Sequence, residues 1–394
     1  MLSDLVIENS SVSKLSQYLH KYAGYPTWRN TSVEYFSSGM KKFAALKREL
    51  RKAERFIYME YFIIGEGEMW SEIEHILTDK VAEGVDVRLI YDGMGSLDNL
   101  PFRYDKRLRE KGIKCHVFNP FRPLLSSIQN NRDHRKICVI DGSVAFNGGI
   151  NLADEYINRI DRFGYWKDTA VMIKGDAVWS FTMMFLQMWE IVDKEHNDYD
   201  TLRPVLTEKE EQAKGFVIPY GDSPLDRENV GEMVYLDIIN HARKYVYITT
   251  PYLIPNNELV TAMEYAAKSG VDVRIITPGH PDKWYCRSIA WSYYSDLLAL
   301  GVKIYEFDGF IHAKSFVSDD KSAVVGSINL DYRSLYLHFE CATYMYRTGA
   351  EPCVRRDFEA TLEHCREITL EDCSKRSLAS CAVSALLRIF APLL

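Results

Sequence analysis

His134 and Lys136 stand two residues apart, and His312 and Lys314 repeat that spacing in the second half of the chain. Each pair runs on to an aspartate, Asp141 and Asp319, so both stretches read H-x-K-x-x-x-x-D. A small-residue turn and an asparagine follow, Gly148-Gly149-Ile150-Asn151 first and Gly326-Ser327-Ile328-Asn329 second, and 17 positions separate His from Asn in both. One such motif can arise by chance in a chain of this length and is weak evidence alone. Two, with matched turns, are not. If the halves pack together, one site holds two imidazoles, two ammonium groups and two carboxamides. Ammonium and amide N–H groups stabilise charge on phosphoryl oxygens. One imidazole can attack phosphorus while the other protonates the departing alkoxide and then serves as base. That chemistry is phosphodiester transfer through a phosphohistidine. It needs neither metal nor cofactor, and none is expected.

The elements that must carry these residues are also duplicated. Residues 55–64 form an apolar, β-branched run that predicts a buried strand. A helix over 69–83, a strand over 85–91, a helix over 104–111 and a strand over 113–118 follow. The second half gives strands over 245–250, 271–276 and 302–307, with helices over 257–269 and 288–300. Gly84-Val-Asp-Val-Arg88 recurs unchanged as Gly270-Val-Asp-Val-Arg274. This strand–helix alternation predicts an α/β fold with a partly parallel sheet in each half. The expected organisation is an N-terminal segment 1–45, a first domain 46–192, a charged linker 193–215 and a second domain 216–394. Strand periodicity puts His134, Lys136, Cys138 and Ile140 on one side, and His312, Lys314, Phe316 and Ser318 likewise.

Composition narrows the class. The chain has 394 residues and a net charge of −7, without the basic stripe of a nonspecific nucleic-acid binder. No nucleic-acid partner is expected. The eight cysteines form no C-x-x-C pair and suit reduced thiols. No run reaches the ~18–20 apolar residues of a membrane-spanning helix, and no signal peptide opens the chain. Residues 179–189, rich in aromatic residues and methionine, read as a core helix. Phe121, Arg122, Leu124 and Leu125 lie in a loop before the first motif that suits entry of acyl chains, and Trp291, Tyr293 and Tyr294 are candidates for the opposite wall. The tail places Leu378, Ala382, Ala385, Leu386, Ile389 and Phe390 at helical spacing; packing of that stripe on its own domain is preferred over an interfacial helix.

With these residues in view, the chain resembles the phospholipase D superfamily, within it most closely the bacterial cardiolipin synthases. The resemblance spans roughly residues 45–394 and rests on Arg132-Asp-His-Arg-Lys136, residues 148–156, Tyr165-Trp-Lys-Asp-Thr169, Gly309-Phe-Ile-His-Ala-Lys314, residues 326–334 and the C-terminal Ala391-Pro-Leu-Leu394. It implies two α/β sandwich domains related by a pseudo-twofold axis, with the active site at their interface. It implies His134 as nucleophile and His312 as general acid and then base, the assignment between them being open by pseudo-symmetry. Lys136, Lys314, Asn151 and Asn329 would hold the phosphoryl oxygens, with Gly149 and Ser327 in the substrate-binding turns. Asp168 is similar to the family's orienting carboxylate for the first histidine and Glu340 to that for the second. Asp141 and Asp319 belong to the catalytic motif as supports rather than proton carriers. The family favours Asn where Asp133 stands, and its synthases usually carry two transmembrane helices ahead of this region; the resemblance leaves open whether such an anchor has been removed from this sequence or the protein binds the bilayer peripherally.

The implied reaction converts two phosphatidylglycerols to cardiolipin and glycerol. Phosphatidylglycerol and other anionic phospholipids are the expected partners, at the cytoplasmic side of a membrane surface, with a homo-oligomer left open. A hydrolytic phospholipase D uses the same residues. A superfamily nuclease is opposed by the charge, and a non-catalytic membrane-binding module by the two intact motifs.

Overall fold

The computed structural model describes residues 10–120, 127–193, 197–204 and 206–391. The expected loop with Phe121, Arg122, Leu124 and Leu125 lies outside them, as do residues 392–394. Two mixed sheets form the frame. In the first, Phe56–Tyr61, Asp86–Asp92 and Lys114–Phe118 run parallel. Lys136–Ile140, Val144–Gly148, Ala170–Gly175 and Thr31–Phe36 extend the other side antiparallel. The second sheet repeats this plan. Tyr245–Thr249, Asp272–Pro278 and Lys303–Phe307 are parallel, and Ser315–Ser318, Ser322–Gly326, Glu340–Tyr346 and Phe216–Asp222 continue antiparallel. Cys365–Ile368 closes the far edge. The expected α/β duplication is the observed architecture.

Local chemistry explains the repeated elements. Glu68–Ala82 and Asn257–Lys268 present apolar residues at helical spacing to their sheets. Asn256 caps the second by accepting from the N–H of Leu259. For the first, Asp154 reaches over and accepts from the N–H groups of Glu68 and Met69. Both helices end at a glycine in the left-handed region, Gly84 (φ 90°) and Gly270 (φ 91°), where a Cβ is disfavoured. The repeated Val-Asp-Val-Arg then starts each next strand.

Each sheet is apolar on both faces, so alternate residues enter different cores. Ile57, Met59, Cys138, Ile140 and Phe146 pack under Gly39–Leu50 and Glu68–Ala82. Ile137, Val139 and Ala145 meet the helix Val178–Asp193, whose Phe181, Phe185 and Trp189 are fully buried, as expected of a core helix. Phe339 and Cys341 of the second half join that same core, and Val171 of the first half joins Val317, Val325 and Met345 of the second. The halves therefore share cores.

Of the N-terminal stretch, Val12, Leu15 and Leu19 of the helix Ser10–Lys21 pack with Phe216 and Val234 in the second half, while Thr31–Phe36 is an edge strand of the first sheet. In the C-terminal helix Leu378–Ile389 the expected orientation is reversed. The helix does pack on Trp284–Ala299, but through buried Ser384 and through Arg388, which pairs with Asp296 at 2.8 Å. Leu378, Leu386 and Ile389 are exposed, at 89%, 57% and 73%. Arg388 and Arg376, stacked on Tyr293 and Trp291, take the buried side. Tyr293 and Tyr294 belong to the core of the second half. Among the described residues no helix is long and apolar enough to cross a membrane.

Candidate active site

Both motif histidines sit just ahead of their strands, which begin at Lys136 and Ser315, in extended segments that pair with the opposite half. The His134 N–H donates to the Phe339 carbonyl and the Phe339 N–H to the Arg132 carbonyl, both at 2.9 Å. Its counterpart is the short parallel pairing of Phe310–Ile311 with Trp166–Lys167, extended by the His312 N–H to the Lys167 carbonyl at 2.7 Å. Each histidine thus lies beside the residue that precedes a carboxylate of the other half.

The consequence is a crossed pair of ring–carboxylate contacts. Nδ1 of His134 lies 2.9 and 3.0 Å from the two oxygens of Glu340, and Nδ1 of His312 lies 2.7 Å from Asp168 Oδ2. The expected assignment, Asp168 to the first histidine and Glu340 to the second, is overturned. The backbone pairing across the interface delivers each carboxylate to the other half's ring. With Nδ1 committed to a carboxylate, Nε2 is the atom left for chemistry.

The lysines are buried with them. Lys136 and Lys314 are each 1% exposed, and each donates to the carbonyl of its own motif histidine. Burial pushes Lys136 down to about 8 and Lys314 to about 7, against the pull of Glu340 and Asp168. Holding an ammonium out of water costs several kcal/mol unless opposite charge compensates. Two such groups in one site suit an anionic ligand. Burial, then Lys136, holds His134 well below the usual imidazole range, and burial with Lys314 takes His312 to about 4. Burial raises Glu340 well above the carboxylate range despite Lys136 and Ser327. It would raise Asp168 too, but His312 and Lys314 hold that group low.

Asn151 and Asn329 are engaged in holding their own turns. Asn151 accepts from the Ile63 N–H at 3.0 Å and donates to Tyr156 Oη at 2.6 Å, while Asn329 donates to Ser334 Oγ at 2.9 Å. Gly149 and Ser327, expected in substrate binding, stand against the two carboxylates. A Cβ on Gly149 would come within 2.2 Å of Asp168 Oδ1. The Ser327 hydroxyl donates to Glu340 and accepts from the Cys341 N–H.

Asp141 and Asp319, grouped with the catalytic motif, lie at the far ends of their strands. Asp141 accepts from the N–H groups of Glu54, Arg55 and Phe56, and Asp319 from those of Arg243, Lys244 and Tyr245, all at 2.8–3.1 Å. Both have positive φ, 52° and 55°. They fasten a strand start to a turn and do not touch the histidines.

Several contributors gave no clear sequence signal. Phe62 meets the His134 ring edge-on at 4.8 Å, and Tyr156 and Trp166 flank His312 at 5.5 and 5.4 Å. Beneath the first motif, buried Arg135 pairs with Asp133 and Glu60, and Arg132 pairs with Asp92 at 3.0 Å. The acid at 133 therefore has a cation to match it. His338 stands two residues before Glu340 on the same strand approach, its ring 5.6 Å from that of His134. Only its spacing from Glu340, which puts alternate residues on one side, could have flagged it. His134, His338 and Glu340 bring ligand-type atoms within 4.8 Å of one another, but Lys136 and Lys314 beside them oppose a dication. A separate cleft of about 1150 Å3, lined by Lys41, Lys167, Arg287 and Asp357, contains neither motif histidine.

Comparison with known proteins identifies the family. The family model described as "Cardiolipin synthase, PLD-like domain" matches residues 46–189 and 235–362. A cardiolipin synthase of Halalkalibacterium halodurans is 35% identical over 388 residues, covering 96% of this chain and 76% of its own. An uncharacterized protein of Streptococcus mutans is 56% identical over 383 residues, covering 96% of this chain and 82% of its own. In fold, the chain is similar to phosphatidylserine synthase of Haemophilus influenzae, with a TM-score of 0.70, 16% identity and 98% coverage of both chains. Duplicated motifs, paired sheets and matched relatives converge: the chain belongs to the cardiolipin synthase family of phospholipase D-like phosphatidyltransferases.

Proposed function

We propose that this protein is a cardiolipin synthase in the strict sense, moving a phosphatidyl group from one phosphatidylglycerol to another. The crossed pair of buried imidazole–carboxylate contacts flanked by two buried lysines supports phosphoryl transfer, and the match to cardiolipin synthases supports phosphatidylglycerol as the acceptor. Nε2 of His134 attacks phosphorus, forming the N–P bond as the P–O bond to glycerol breaks, and His312 gives its proton to the departing oxygen. A primary hydroxyl of the second phosphatidylglycerol then passes its proton to His312 and attacks phosphorus, and the N–P bond breaks. The empty site keeps both rings neutral. A phosphodiester anion seated among them raises their basicity, so the acid is charged only when substrate is present. The lysines stabilise charge on the non-bridging oxygens.

The lipid substrate also gives the C-terminal helix a role. Its exposed Leu378, Leu386 and Ile389 suit insertion at a bilayer surface, with the polar side held on the protein by Arg388 and Ser384. Leu386→Glu with Ile389→Glu is expected to lower vesicle binding at least tenfold in a sedimentation assay while leaving the fold intact. Unchanged binding removes the helix from the reading.

The deciding experiment supplies labelled phosphatidylglycerol in mixed vesicles and resolves products by mass, with His134→Ala and His312→Ala alongside. Cardiolipin plus glycerol, lost in both variants, is the expected result. Phosphatidic acid without cardiolipin would make the protein a hydrolase.

A further inference from the structure

The ring of His338 is nine-tenths buried, and neither of its nitrogens has a hydrogen-bond partner among the described residues. Its Nδ1 stands 3.8 Å from Glu340 Oε1, beyond hydrogen-bond reach. A buried polar atom left without a partner is costly, and two on one ring beside the reacting histidine call for a ligand. Its surroundings narrow the chemistry. Burial, then the charges of Arg333, Lys136, Arg132 and Lys283, pushes the imidazole down to about 3, so it is neutral at physiological pH. A neutral imidazole offers one N–H donor and one bare nitrogen acceptor.

Three classes of ligand group can be weighed against that pair. Phosphoryl oxygens only accept, would leave the bare nitrogen unsatisfied, and already have Lys136 and Lys314. An ammonium headgroup, like a divalent cation, is repelled by the surrounding lysines and arginines. A hydroxyl both donates and accepts, carries no charge, and matches. We infer that His338 forms a subsite for a headgroup hydroxyl that does not itself react, selecting phosphodiesters of neutral polyols over amino alcohols and over plain alkyl esters. This rests on the proposed transfer between phosphatidylglycerols and names the residue that reads the glycerol.

Two measurements separate the subsite from that reading. The first is binding of soluble methyl glyceryl phosphate and methyl propyl phosphate to the folded protein by calorimetry. Wild type is expected to bind the glyceryl diester at least fivefold more tightly, His338→Ala to lose that difference, and His338→Gln to keep part of it. Equal binding of the two diesters by wild type, or a preference that survives in His338→Ala, overturns the subsite. The second is turnover of phosphatidylglycerol against phosphatidylpropanol in vesicles. His338→Ala should raise KM for the glycerol lipid roughly tenfold, with kcat changed little and the propanol lipid unaffected. An equal fall in kcat for both lipids would mean that His338 only supports Glu340, and would overturn the proposal. Preferential binding of the glyceryl diester without turnover of any lipid would sink the synthase reading and sustain the subsite.

Discussion

The carboxylate of Asp168 lies 2.7 Å from Nδ1 of His312, 144 residues further along the chain and in the other half. Glu340 reaches His134 across 206 residues in the same way. Each motif histidine thus takes its ring carboxylate from the other half.

The crossing makes a test of coupling. Asp168→Asn is expected to lower kcat by up to about 10⁴, the loss found when the orienting aspartate of a catalytic triad becomes asparagine. Because it acts through His312, the double variant Asp168→Asn with His312→Ala should be no slower than His312→Ala. Ring-nitrogen NMR supplies a readout that structure loss would not imitate: Asp168→Asn should shift the His312 signals and leave those of His134 in place. Shifts at His134 instead would restore the uncrossed pairing.

Asp141 and Asp319 should behave as fasteners. Each gathers three backbone N–H groups at the start of a strand. Asp141→Ala and Asp319→Ala are expected to lower unfolding free energy by about 2 kcal/mol each, seen as a fall in the urea midpoint. Activity per folded molecule should stay within a few-fold. A loss of a thousandfold in well-folded protein would place them in the chemistry after all.

Gly149 and Ser327 occupy equivalent turns yet meet their carboxylates differently. Gly149→Ala pushes a methyl group into Asp168, and a displacement of about 1 Å in catalytic geometry costs about 10² in rate. Ser327→Ala removes one hydrogen bond to Glu340 and leaves its room unchanged. Steady-state kinetics should therefore rank Gly149→Ala as the more damaging change, and the reverse order would refute this account of the turns.

The lysines set a pH dependence. Their charged forms prevail below about 7 for Lys314 and about 8 for Lys136. Sulfate, whose own charge is constant, should bind the empty site well at pH 6 and progressively worse towards pH 9, followed by its effect on Tm. Lys314→Met should flatten that profile. The stability of the unliganded protein runs the other way. An unfolded lysine stays protonated to about 10.4, so over the window from about 7 upward the unfolded state binds more protons and stability rises with pH. Sulfate affinity independent of pH would show that neither lysine titrates there.

The sequence by itself determined the duplication, the α/β elements and the two H-x-K motifs. Those are matters of residue type, periodicity and spacing, which local sterics and hydrophobic patterning impose wherever the halves end up. Tertiary structure alone decided which carboxylate serves which histidine. That choice depends on Asp133 and His134 pairing with Phe339, and Ile311 and His312 with Lys167, contacts between segments with no shared periodicity. It also turned the C-terminal helix. Leu378–Ile389 has an apolar stripe that a sequence reader assigns to the core, but Arg388 finds Asp296 and Tyr293 and Ser384 fits against the neighbouring helix, so the stripe faces outward. An amphipathic pattern specifies that two faces differ. Only the surface it meets decides which of them is buried.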